Sequence, residues 1–204
     1  MQKEIHKKTK EAEKKQSFIS ESFDYLEMFI TAAVVALILF TSMFRVCNVV
    51  GESMESTLLN GQMLLISDLF YEPKIEDIIV FHQTGDTLGD LNEPLVKRVI
   101  ATEGQWIYIE YGDENSMSVY VSDDENITED DLLDEPYTNL EPGATTFQNK
   151  YKAQVPEGHV FVMGDHRYHS LDSRNYRVGF VDTRRILGKV LLRITPFSEF
   201  GTVD

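Results

Sequence analysis

Cysteine, tryptophan and proline are scarce in this chain, and beyond the first residues so is positive charge. A single cysteine, Cys47, stands among 204 residues, so no disulfide can close within the chain and the redox compartment cannot be read from cysteine. Six prolines and twelve glycines are too few for a low-complexity or linker-like segment. Lysine and arginine number 19 against 34 acidic residues, and six of those lysines lie within residues 1–17. The remainder carries a net charge of −18. So acidic a body lacks the basic footprint that a nucleic-acid partner requires. The five histidines are scattered; His166 and His169 have a metal-like spacing, but no cluster of carboxylates or thiolates completes a site, so neither a metal nor another cofactor is expected.

What is present falls into distinct blocks. Residues 1–24 form a polar, lysine-rich tail. Residues 25–45 are almost wholly apolar, and twenty helical residues span about 30 Å, the thickness of a bilayer core. Lysines precede this run and acids dominate after it, so the positive-inside rule predicts a single-pass anchor in the cell membrane, with a cytoplasmic N-terminus and an extracellular body. A cleavable secretory signal fits less well: the run is long, and Arg45-Val46-Cys47-Asn48 follows it rather than a small-x-small site.

Beyond the anchor the pattern changes to short apolar runs broken by Gly, Asp and Pro. Met63–Ser67, 78–82, Leu95–Ala101, Trp106–Tyr111, 118–121, His159–Met163 and 190–194 all read as strands. No helical stretch separates them, so the expected fold is mostly β: a transmembrane helix, then an antiparallel β body (46–111 and 154–204) holding a smaller β or irregular subdomain. That insertion, residues 112–153, is acidic and poorly patterned.

Two residues within this frame invite chemistry. Ser53 lies in the turn Gly51-Glu52-Ser53-Met54, where the chain enters the β body, and a glycine-containing turn can aim its amides at a ligand. Lys97 lies inside the strand Leu95-Val96-Lys97-Arg98-Val99. Alternation puts it on one face with Leu95 and Val99, while Arg98 on the other face is expected to reach solvent. A buried ammonium tends to lose its proton, and a neutral amine is a competent general base. A third segment, Gly164 to Arg174, is dense in hydrogen-bonding groups.

Taken together the segments resemble the bacterial type I signal peptidases, membrane-bound serine proteases that remove signal peptides from exported proteins. Ser53-Met54-Glu55-Ser56-Thr57-Leu58 is similar to that family's Ser-Met-x-Pro-Thr-Leu, and Glu76-Asp77-Ile78-Ile79-Val80-Phe81 to its Gly-Asp-Ile-Val-Val-Phe. Val96-Lys97-Arg98-Val99-Ile100 matches its lysine box. Gly164-Asp165-His166-Arg167 with Ser170, Asp172, Ser173 and Arg174 resembles its Gly-Asp-Asn-Arg…Ser-x-Asp-Ser-Arg box. The resemblance covers about residues 25–195, apart from the insertion, and lysine rather than histidine at 97 favours the bacterial type.

The resemblance implies Ser53 as nucleophile and Lys97 as its base, with Ser170 orienting the lysine and Asp172 and Arg174 supporting the loop. It implies shallow apolar pockets for small side chains near Val49, Met54, Leu58, Leu95 and Val96. Implied partners are preprotein signal peptides and membrane lipid, the chain acting as a monomer; no cofactor is implied. Gly51 stands where some members carry a second oxyanion donor, Ser56 where the family has proline, and Thr102-Glu103-Gly104-Gln105 where Leu-Pro-Gly-Asp is common. A catalytically lapsed member, acting as an anchored binding or assembly protein, is the alternative.

Overall fold

The computed structural model describes residues 2–83, 94–112, 116–141 and 150–203, with side chains from Glu21 onward. Parts of the expected insertion, 113–115 and 142–149, lie outside the described residues. The chain divides into two compact units, residues 1–43 and 44–204.

The first unit is one helix, α1 (Gln2–Met43). Its stretch Glu21–Met43 is long and apolar enough to cross a membrane, and none of it is buried by protein. Phe29 is 71% exposed and Leu37 62%. Side chains this apolar all round need lipid or a larger protein as their surroundings. The stretch also satisfies its own hydroxyls: Thr41 Oγ1 donates to the Leu37 carbonyl at 2.9 Å and Ser42 Oγ to that of Ile38 at 2.9 Å. Hydroxyls bonded back onto the helix need no water in a bilayer.

Among the described residues the strands of the second unit pair antiparallel. Seven strands form the larger sheet: β1 (Phe44–Asn48), β2 (Met63–Ser67), β3 (Ile78–Phe81), β4 (Leu95–Ala101), β8 (His159–Met163), β9 (Val181–Asp182) and β10 (Ile186–Thr195), in the order β1-β2-β10-β3-β4-β8-β9. A smaller sheet places β5 (Trp106–Tyr111) between β6 (Met117–Ser122) and β7 (Tyr151–Gln154). The helix therefore stops two residues short of the expected 45, because Phe44 and Arg45 pair with Ser67 and Ile66 in β1. The insertion is more ordered than its composition implies: β6 and β7 clasp β5 from both sides.

Alternation builds the cores. Ile107 and Ile109 of β5 and Val119 of β6 turn inward onto Ile100, Ala101, Phe161 and Met163 of the large sheet, joining the two sheets through one apolar cluster. Full burial of side chains of this size is worth about 1.5–3 kcal/mol each. A second cluster, with Ile79, Phe81, Val99 and Val162, backs the lysine face of β4; a third gathers Val49, Met54, Leu58, Leu64, Ile66 and Val96. The strand bearing Lys97 is thus central, flanked by β3 and β8.

Candidate active site

Between β1 and β2 the chain makes a closed loop. The Val49 amide donates to the Gln62 carbonyl at 2.8 Å and the Gly61 amide to that of Val49 at 2.9 Å, tying the loop at its base. Met54 and Leu58, 1% and 0% exposed, plug it into the core, and the Leu58 amide closes a turn onto the Met54 carbonyl at 2.8 Å. Gly51 enters this turn at φ 88°, a left-handed conformation that glycine adopts without steric cost. Ser53 is left partly exposed at the head of an otherwise pinned turn.

Lys97 reaches it from the centre of β4, opposite Ile79. The side chain is 2% exposed. Its Nζ lies 2.6 Å from Ser53 Oγ and donates to the Val96 carbonyl at 2.8 Å. Burial pushes the amine down to about 8; the Asp172 and Asp165 carboxylates work against that, and the Arg174 guanidinium works with it. Near neutral pH a useful fraction is therefore an uncharged amine beside a hydroxyl, the arrangement in which an amine can take the hydroxyl proton.

The segment after β8 wraps the pair. Asp172 accepts from the Gly164 amide at 3.0 Å and forms a two-pronged ion pair with Arg174, Nε to Oδ1 at 2.8 Å and Nη2 to Oδ2 at 2.7 Å. Burial works to raise the Asp172 carboxyl, but the Arg174 charge and these bonds outweigh it and hold the carboxyl below its usual range. Gly164 has no room for a side chain: a Cβ there would collide with Ser170 Oγ and the Ser53 carbonyl oxygen. That same carbonyl accepts from the His166 amide at 3.1 Å. Ser170 is buried beside the pair, and its hydroxyl is among the groups that hold the Asp172 carboxyl down. Among the described hydrogen bonds Nζ meets Ser53 and Val96, and the expected bond from Ser170 to Lys97 is not one of them.

Arg98 corrects the sequence reading. It does not reach solvent but is 1% exposed, with Nε and Nη2 on the two oxygens of Asp165 at 3.0 and 2.8 Å. Thr57 Oγ1 donates to the same carboxylate at 2.5 Å. Asp165 thus links the serine turn, the lysine strand and the wrapping segment. Its partner lies 67 positions from it, so strand alternation alone could not find the pair. Of the five apolar positions, Val49, Met54, Leu58 and Val96 come together in one cluster; Leu95 faces the other way, toward Ile79, Phe81 and Val99.

Comparison with known proteins shows the family. A family model described as signal peptidase, peptidase S26, matches residues 22–195. The chain is similar to "Probable signal peptidase I-1" of Synechocystis sp., 33% identical over 190 residues that span 90% of this chain and 86% of the relative. It is 34% identical over 164 residues to "Signal peptidase I" of Bacillus caldolyticus, spanning 74% and 79%. It is 32% identical over 197 residues to "Signal peptidase IB" of Staphylococcus aureus, spanning 87% and 93%. The chain belongs to the signal peptidase family, peptidase S26.

Within that family its departures have local physical answers. Glu76 stands at the glycine of the strand motif and holds φ 74°, a left-handed conformation costly for any residue with a Cβ. Ser56 stands at the proline of the serine motif, and its exposed hydroxyl donates to the Tyr137 carbonyl at 2.8 Å. Gly51 offers no hydroxyl, and its amide is already bonded to Asn60 Oδ1 at 3.1 Å.

Proposed function

We propose that this signal peptidase is a membrane-anchored serine endopeptidase that uses Ser53 as nucleophile and Lys97 as general base to cut signal peptides from exported preproteins. The observation that carries this reading is the 2.6 Å approach of Lys97 Nζ to Ser53 Oγ, with the lysine 2% exposed. Neutral Lys97 takes the Ser53 hydroxyl proton as Oγ attacks the scissile carbonyl. The C–N bond then breaks, and the leaving amine receives that proton from Lys97, leaving an ester on Ser53. Water attacks the ester and gives a proton to Lys97; the C–O bond to Ser53 breaks, Lys97 returns that proton to Ser53 Oγ, and the carboxylic acid leaves. The tetrahedral oxyanion would sit at the Ser53 amide, on which no hydrogen bond among the described residues draws. The Gly51 amide is occupied, so a second donor must come from elsewhere in the turn or from water.

The tight apolar cluster at Val49, Met54, Leu58 and Val96, beneath the Ser53 turn, supports a shallow site and cleavage after small residues. The apolar helix supports anchoring, and the lysines before it support a cytoplasmic N-terminus with the body outside the cell membrane. Exposed Val50, Leu59, Met63, Phe197 and Phe200, at or just beyond the end of the sheet where Asn48, Met63 and Thr195 pair, support contact of the body with lipid. An anchor confines enzyme and membrane-inserted substrate to one surface and raises their effective concentration.

The test is cleavage of a signal-bearing preprotein by the full chain in liposomes. Ser53→Ala and Lys97→Ala should each abolish cleavage; Lys97→Arg should also be inactive, since guanidinium cannot serve as a base. Cleavage that survives in Ser53→Ala or Lys97→Ala would overturn the assignment.

A further inference from the structure

Residues 135–139 lie in the acidic insertion, 38 or more positions beyond Lys97, yet they touch the serine turn, the strand that carries Lys97 and the segment after β8. Glu135 receives both terminal nitrogens of Arg167, Nη1 reaching Oε2 at 2.7 Å, and this pair is buried, with side chains 1% and 9% exposed. Arg167 passes the constraint on: its Nε donates to the Gly164 carbonyl at 3.1 Å, and its own carbonyl accepts from Arg174 Nη2 at 2.7 Å. The Tyr137 ring lies 3.8 Å from the guanidinium carbon of Arg98, next to Lys97. Its hydroxyl donates to Glu135 Oε1 at 3.1 Å, while its carbonyl accepts the Ser56 hydroxyl. Asn139 adds a backbone ladder, its amide donating to the Asp165 carbonyl at 2.8 Å and its carbonyl accepting from the Arg167 amide at 2.9 Å.

We propose that residues 135–139 are a strap that positions the Ser53–Lys97 pair, with Glu135 and the Ser56 hydroxyl as its two working anchors. At one end the strap holds the turn that carries Ser53, where Ser56 replaces the proline that would fix φ. At the other it holds Gly164, which packs against the Ser53 carbonyl, and the segment whose Asp165, Asp172 and Arg174 set the charge around Lys97. The strap is thus a link from the small sheet to the geometry of the dyad. No other described bond between residues 123–141 and the serine turn is of this kind.

This inference rests on the dyad reading, and its test separates the two. Full-length Ser56→Ala, Ser56→Thr and Glu135→Gln are assayed on the same preprotein in liposomes, beside Ser53→Ala and Lys97→Ala. Ser56 is exposed, so its variants should fold. Ser56→Ala should lower kcat on the order of tenfold with KM little changed, and Ser56→Thr, which keeps the hydroxyl, should restore it. Glu135→Gln should lower kcat and move the acid limb of the pH profile upward, because a loosened wrap admits water to Lys97. Unchanged kcat and pH profile in both Ser56→Ala and Glu135→Gln would overturn the strap, as would loss in Glu135→Gln that tracks only the folded fraction while Ser56→Ala stays fully active. Cleavage by Ser53→Ala or Lys97→Ala would instead overturn the dyad and leave the bonds of the strap without a catalytic meaning.

Discussion

Lys97 Nζ stands 2.6 Å from Ser53 Oγ, although the two residues are 44 positions apart in the chain. Two opposed influences act at the amine. Burial disfavours the ammonium, while the carboxylates of Asp172 and Asp165 favour it and Arg174 counters them. The balance leaves Lys97 close to the pH at which a cell works, where a base is both available and strong enough to act.

On the proposed mechanism kcat/KM should therefore rise with pH along a limb set by Lys97, near 8. Asp172→Asn should move that limb downward by about half a pH unit or more, because removing a negative charge disfavours the ammonium and frees the Arg174 charge to act in the same direction. A pH–rate profile of the two proteins measures this. A limb that moves upward, or does not move, means that Asp172 does not set the base.

The same burial predicts a pH-dependent stability. Well below pH 8 the lysine is protonated in both states, and the folded chain bears the full cost of a buried ammonium. Between about 8 and the ordinary value of 10.5 the unfolded chain binds the extra proton, so stability rises with pH. Lys97→Met has no such group. Relative to it, the parent chain should gain about 3 kcal/mol between pH 7 and pH 10.5. Thermal unfolding of both full-length proteins in detergent at the two pH values provides the measurement, and a constant difference would contradict the buried ammonium.

Much of the body was legible because apolar alternation is a local signal. Met63–Ser67, Leu95–Ala101, Trp106–Tyr111 and His159–Met163 have the expected bounds. β7 was not legible: Tyr-Lys-Ala-Gln is short and half polar, and only the Ile107 and Ile109 face of β5 makes it a strand. β1 was hidden at the end of the apolar run, where Phe44 and Arg45 look like anchor. The approach of Lys97 to Ser53 could be proposed from motif and strand alternation. Asp165, Thr57, Glu135 and Tyr137 could not, since each matters through a partner distant in sequence.

Asp165 offers a test of that distant wiring. It faces Arg98 at 2% and 1% side-chain exposure, so Asp165→Asn leaves a buried guanidinium without its counter-charge. The loss should be about 3–5 kcal/mol, whereas the joint change Arg98→Met with Asp165→Leu should cost less than Asp165→Asn alone. Denaturation of the three proteins decides. If the double variant is the least stable, the pair contributes stability of its own rather than a penalty avoided.

Gly164→Ala probes the closest packing at the site. Gly164 needs no left-handed backbone; it is needed because a Cβ there would meet Ser170 Oγ, Ser170 Cβ and the Ser53 carbonyl oxygen. Ser170 is a side chain and can be removed, but the Ser53 carbonyl is backbone, held by the His166 amide. The methyl must therefore push the serine turn away from Lys97. Overpacking of this kind costs about 1–3 kcal/mol, and on the proposed mechanism a displacement of Ser53 by about 1 Å can cost on the order of a hundredfold in rate. Gly164→Ala should accordingly lower both melting temperature and kcat. Adding Ser170→Gly should recover stability more than kcat, because it removes the side-chain collision and leaves the collision with Ser53 in place. Recovery of full activity in that double variant would show that Gly164 makes room for Ser170 alone, and does not set the position of the nucleophile.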